Sequence, residues 1–253
     1  MRREGAGAGA RGEGPAYYAS GEHTRWRDVR AVLHIPYTLW HLSYVVVGSL
    51  IGPTVNWSSL GATVLAFFLA VGIAAHALDE LRGRPLGTLL PRRLLLGAAI
   101  FGLCGAMAIG VIGIYRLGPW LGAFIVVGAV LVLAYNLELF GGKLHSDLSF
   151  ALAWGAFPVL TAAFAQDHSI RLSAIVLALA ATLFSAAQRN LSGPARRLRR
   201  QAVSVEGQVV FADGRVEALD RGAILAPIEN ALSALSWAMV ALALSLVVAR
   251  LAY

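Results

Sequence analysis

The sequence predicts an all-α, polytopic transmembrane bundle of about seven helices, with a small cytoplasmic β-hairpin insertion before the last one. Three observations carry that expectation. Of 253 residues, 58% are hydrophobic and 14% charged, where an ordinary water-soluble domain carries roughly 25% charged residues. Apolar stretches recur at 31–52, 58–79, 94–115, 118–138, 147–166, 170–189 and 227–251, each close to the roughly 20 residues that cross a hydrocarbon core as a helix. The basic residues alternate with these stretches. With a cytoplasmic N-terminus and an external C-terminus, only Arg116, Arg171 and Arg250 of the 21 Lys and Arg fall outside, as the positive-inside rule requires. The chain thus reads as a multi-pass protein of the cytoplasmic membrane, and its net charge of +7 points to anionic membrane lipids rather than nucleic acid. Cys104 is the one cysteine, which excludes an internal disulfide framework and a Cys-based zinc or iron–sulfur centre.

Taken in order, residues 1–26 are rich in Gly, Ala and charge and lack the apolar core of a secretion signal. They are expected to form a disordered cytoplasmic tail, leaving 27–253 to the helical domain. The first span sets His34, Tyr37, Trp40, His41 and Tyr44 on one helical face. That face either lines an apolar cavity, where aromatic rings attract a carbocation-like centre, or packs between helices. Paired histidines also admit haem, but His145 and His168 fall in loops on opposite sides and no second bis-histidine helix is evident. The glycines of the third span (Gly97, Gly102, Gly105, Gly110) suit close helix packing in lipid. The insertion occupies about 192–224. Within it, Gln208 to Leu219 reads as a hairpin turning on Asp213-Gly214, with Phe211 opposite Val216 and Val209 opposite Ala218. It is expected to pack on the cytoplasmic mouth, as an ornament or as a lid.

Polar residues gather at the cytoplasmic ends: Asp79 and Glu80, Glu138, Asp147, then Gln188, Arg189 and Asn190, and lastly Glu229 and Asn230. Glu138 and Glu229 are either candidate site residues or polar groups that collect where helix ends meet water. The second span holds more chemistry. His76, Asp79 and Glu80 are spaced i, i+3, i+4, and two adjacent carboxylates can hold Mg²⁺ through oxygen and orient a phosphate. Arg82 and Arg84 follow, able to hydrogen-bond phosphate oxygens. Zinc fits less well, since one histidine and no cysteine lie there.

Gly72-Ile-Ala-Ala-His76-Ala-Leu-Asp79-Glu80 with Arg84-Pro85, then Ala134-Tyr135-Asn136 and the passage from Leu148 through Trp154-Gly155 to Pro158-Val159-Leu160, resembles the UbiA superfamily of intramembrane prenyltransferases over about 30–200. The resemblance implies transfer of a polyprenyl group from its diphosphate to a lipophilic or aromatic acceptor. It implies Mg²⁺ on Asp79 and Glu80, with His41, His76, Arg82, Arg84, Tyr135, Asn136, Arg189 and Asn190 around the substrates. The departures are specific. Gly83 stands where the family's first acidic motif ends, and Ala187-Gln188-Arg189-Asn190-Leu191-Ser192-Gly193-Pro194-Ala195-Arg196-Arg197 carries no carboxylate where the second should lie. The family commonly has nine helices. Arg189, Arg196 and Arg197 can bind diphosphate directly in place of metal, or Arg196, Arg197, Arg199 and Arg200 can form a flank on anionic lipid heads. The rival function is a non-catalytic membrane subunit, with a membrane-protein partner, or a lipid-binding protein on the same bundle. A transporter ranks third, because no charge lies at mid-helix depth.

Overall fold

A computed structural model describes residues 15–19, 21–22, 24–139, 141, 143 and 146–252. It is mostly helical, with one two-stranded sheet. The expectations for 1–14 and for His145 lie outside the described residues. Helix α1 (Arg25–Val32) is capped by Thr24, whose Oγ1 accepts from the Arg27 amide at 3.1 Å. The first span does not run as one helix. His34 adopts a left-handed φ of 45°, and α2 (Ile35–Leu50) starts afresh with Pro36 in its first turn. Proline has no N–H to give a preceding turn, so it begins a helix more readily than it continues one.

Helix α3 (Trp57–Leu81) is π-helical over Phe68–Ala75, and α4 (Arg92–Leu117) follows a ten-residue loop. A turn at Gly118 leads to the short α5 (Leu121–Asn136). Helix α6 (Asp147–Asp167) has a second π-helical stretch at Leu152–Ala156. Helices α7 (Leu172–Gln201) and α8 (Arg221–Ala252) complete the bundle. Helices α3, α4, α6, α7 and α8 are long and apolar enough to cross a membrane. The shorter α2 and α5 occupy the two other apolar stretches.

Helix α2 is central, packed between α6 and α8, while α3 lies between α4 and α6. Small residues set the close crossings. A Cβ on Gly48 would stand 2.7 Å from Val159 O on α6, and one on Gly102 of α4 would collide with Leu69 O in the π-helical part of α3. Where lipid removes the hydrophobic drive between helices, such backbone approach supplies much of the dispersion energy. Trp40 and Tyr44 are buried in this packing and hydrogen-bonded to each other at 2.7 Å, so this part of the first span's aromatic face is core.

Two expectations about the insertion change. Helix α7 continues unbroken through Gly193-Pro194 to Gln201, which shortens the insertion to 202–220. The hairpin, β1 (Gln208–Val210) with β2 (Val216–Ala218), pairs Val210 with Val216 and Val209 with Glu217. Its turn is longer than two residues: Gly214 N–H donates to Phe211 O and Phe211 N–H to Arg215 O. Of the two residues a type I′ turn needs at positive φ, only Gly214 (85°) is there, so a three-residue loop forms instead. All six strand residues are exposed, and none of them lines the cavity described below. The hairpin is therefore not a lid on it.

Candidate functional site

A cavity of about 920 Å³ runs lengthwise through the bundle. Its middle is apolar, walled by residues such as Phe67, Val71, Met107, Ile112, Phe124 and Val132 from α3, α4 and α5. One end is cationic, with Arg189, Arg196 and Arg200 beside Tyr18, Tyr37 and Gln188; the other reaches Asn56, Arg116, Gln166 and His168. Both π-helical stretches face it, through Val71 and Ala75 and through Ala153 and Trp154. Wide turns of that kind cluster at functional sites.

The arginines reach the cavity because α7 stays helical. Spacings of seven and four put residues 189, 196 and 200 on one face. Arg189 Nε donates to Asp147 Oδ1 at 2.7 Å, and its guanidinium lies 5.3 Å from the Phe150 ring centroid. Arg196 donates to Ser192 Oγ at 3.1 Å and Arg200 to Pro15 O at 3.3 Å. The neighbouring Arg199 turns away and pairs with Glu229. Behind Arg189, Phe150 stacks on Trp154 (5.3 Å, 14° between planes), and Trp154 lies 4.6 Å from the ring of His41. His41 Nδ1 stands 3.1 Å from Trp154 O. A carbonyl only accepts, so that nitrogen carries the proton. His76 stacks on His34 at 4.2 Å.

Of the residues expected at the site, His41, His76, Asp79, Tyr135, Asn136 and Arg189 do line one cavity. Glu80, Arg82, Arg84 and Asn190 do not. Glu80 is fully buried on another side of α3, where Oε1 accepts from Thr88 N–H (2.9 Å) and Thr88 Oγ1–H (2.7 Å) and Oε2 from Leu86 N–H (3.0 Å). Successive helix residues diverge by about 100°, so Asp79 and Glu80 part ways despite their adjacency. Arg84 donates to Thr88 O at 2.7 Å, and Arg82 forms an exposed pair with Glu138 at 2.6 Å. The segment after α3 is thus a loop knotted around Glu80, with positive φ at Gly83, Arg84 and Gly87. The two carboxylates sit in different surroundings, Asp79 in the cavity wall and Glu80 inside the loop.

Asp79 is the one carboxylate among the described residues lining the cavity, which leaves the arginine end net positive. Among the described residues no group of three or more His, Cys, Asp or Glu stands ready to hold a metal. Sequence reasoning missed Tyr18 and set Arg200 among the lipid-facing residues, although the seven-and-four spacing from Arg189 was there to be read. Burial pushes the Tyr18 phenol up, and nearby Arg200 and Arg196 pull it the other way, which places that ring at the arginine end too. A scan against protein-family models, a search of curated proteins and a search of solved structures each find no match.

Proposed function

We propose that this protein is an intramembrane prenyltransferase-like protein: it takes a polyprenyl diphosphate head-first into the arginine end of the cavity and transfers the chain to a lipophilic or aromatic acceptor. The single observation that carries the reading is the pairing of a long apolar cavity with three guanidiniums at one end. An anionic head and an apolar tail match that division of polarity, and guanidinium forks match phosphate oxygens in pairs. In the transfer, the allylic C–O bond breaks, pyrophosphate leaves with the electron pair, the acceptor forms the new bond and a proton departs. Fixed cations at the leaving group lower that barrier. Asp79, with water and phosphate oxygens, is the residue that would hold a Mg²⁺ ion, which supplies further neutralising charge when bound. Glu80 cannot contribute, having both oxygens engaged. The arginine end faces the cytoplasm in this reading.

The second reading, binding of a prenyl lipid without chemistry, is favoured by one observation: the loop knotted around Glu80 uses the expected second metal ligand as a structural brace. The test uses full-length protein in nanodiscs with farnesyl to polyprenyl diphosphates, recording thermal protection and pyrophosphate release with a lipid-extract acceptor. Arg196→Gln should weaken protection about 10- to 100-fold, as loss of a charged hydrogen bond to an anion implies, while the exposed Arg197→Gln should not. Release of pyrophosphate supports transfer, and protection without release supports the binding reading. No protection by any diphosphate refutes both.

A further inference from the structure

Residues 15–19 lie in the fold where a disordered tail was expected. Ala16 and Ala19 are buried in a cluster with Val32, Ala77 and Leu86. Between them the Tyr18 ring meets Tyr37 edge-on at 5.4 Å and His34 at 5.3 Å, and Tyr17 packs edge-on against Tyr18 at 5.2 Å. Arg27 donates to Ala19 O and Arg200 Nε to Pro15 O at 3.3 Å. The segment therefore crosses the arginine end of the bundle, and Tyr18 is part of the cavity wall there.

We infer that Pro15–Ala19 is a strap that gates entry of an anionic amphiphile from water into the arginine end of the cavity. Two features suit it to move. It is a five-residue segment held by the buried Ala16 and Ala19, the ring contacts of Tyr17 and Tyr18 and two arginine–carbonyl bonds, a local set that can open below the cost of global unfolding. Arg200 serves both strap and cavity, since it holds Pro15 O and also lines the cavity. A phosphate pairs charge with charge and can accept two guanidinium N–H groups at once, whereas the Pro15 carbonyl offers Arg200 a single neutral acceptor. An arriving anion therefore draws Arg200 from Pro15 and loosens the strap that covers it, a coupling that follows from differential binding alone. The inference goes beyond the transferase reading and holds whichever chemistry follows entry.

The experiment uses the full-length chain in nanodiscs with the exposed Cys104 replaced by serine. Ala75→Cys supplies a thiol in the cavity wall beside His76, and Val203→Cys a reference thiol at a 96% exposed site. Both are labelled from water with an anionic methanethiosulfonate. Tyr18→Ala should speed labelling of the cavity thiol at least about tenfold, the population shift expected for losing a ring that closes a locally opening segment. Tyr18→Phe, which keeps the ring, should leave labelling slow, and the reference thiol should be unaffected by either change. Equal labelling of the cavity thiol with and without the Tyr18 ring overturns the strap. Separately, inorganic pyrophosphate should speed labelling of Ala16→Cys at least about threefold by taking Arg200 from Pro15; an unchanged rate overturns the coupling. In the Tyr18→Ala protein, farnesyl diphosphate should block the cavity thiol. Failure of that arm alone counts against the diphosphate reading and leaves the gate standing.

Discussion

Replacing Glu80 by glutamine separates a structural brace from a metal ligand. The carboxylate has no exposed surface and accepts three hydrogen bonds, from Leu86 N–H, Thr88 N–H and Thr88 Oγ1–H. Glutamine keeps one oxygen, which can stay with Thr88, but its NH₂ then faces the Leu86 N–H, donor against donor. An unsatisfied buried donor costs about 1–3 kcal/mol, and loss of the charge-assisted component at Thr88 adds about 1 kcal/mol. The expected loss of stability is about 2–4 kcal/mol, or a fall of about 4–16 °C in Tm at roughly 2–4 °C per kcal/mol, read by tryptophan fluorescence in detergent. Folded Glu80→Gln should keep any Mg²⁺-dependent protection by farnesyl diphosphate. Asp79→Asn should do the reverse, with near-normal Tm and loss of the Mg²⁺-dependent part. A Glu80→Gln protein of normal stability that has lost metal-dependent binding would refute the assignment.

Other expectations follow from the same geometry. A reporter placed in the hairpin at Gly214 and one fused after the last residue should lie on opposite sides of the membrane, since the apolar 32-residue α8 separates them; same-side signals would show that α8 does not cross. Gly214→Val should expose the 202–220 segment to proteases, because Gly214 sits at φ 85°, where a β-branched residue is strained. The Asp213 carboxyl is held below its ordinary range by Arg215. Its contribution to the turn is therefore present above the unfolded carboxylate pKa and lost as pH falls through the folded value, so cleavage of this segment by an acid protease should rise as pH falls through that range. Arg250 donates to Leu50 O at 2.9 Å and to Gly52 O just past the C-terminal end of α2. Arg250→Ala should cost about 1 kcal/mol, visible as a lower Tm that Arg250→Lys partly restores.

The helical architecture was legible because apolar runs of membrane length leave the backbone little choice but helix. What escaped was local. Neither π-helical stretch has a sequence signature, yet both shape the cavity. Gly193-Pro194 reads as a helix end, but proline costs a helix only one hydrogen bond and a steric adjustment, and α7 runs on to carry Arg196 and Arg200 inward. The Ala-Tyr-Tyr-Ala strap is too short to register as an apolar run; it is fixed by tertiary contacts to rings far along the chain. Adjacency in sequence sets Glu80 beside Asp79, but the chain turns back at Gly83 and Gly87 and wraps its carboxylate away from the cavity.

In the proposed reading, the arginine end does the work for which the resemblance leads one to expect a second acidic motif. Two carboxylate clusters bind a polyanion only indirectly, by recruiting cations; guanidiniums fixed on a helix meet it without an intermediary. The proposed clamp needs its cations held in place yet not neutralised. Ser192 steadies Arg196 and the Pro15 carbonyl steadies Arg200, both uncharged partners. Asp147 orients Arg189 from a position 72% exposed, where water screens its charge, and Phe150 supports the guanidinium face. Three guanidiniums against the Asp79 carboxylate leave positive potential at the mouth, and the apolar wall beside it screens each contact less than water would. In the proposed reading, the helix face that carries Arg189, Arg196 and Arg200 is a guanidinium clamp rather than a metal-borne one. Removing Arg189, Arg196 or Arg200 should then cost more affinity for a diphosphate than removing Mg²⁺ does.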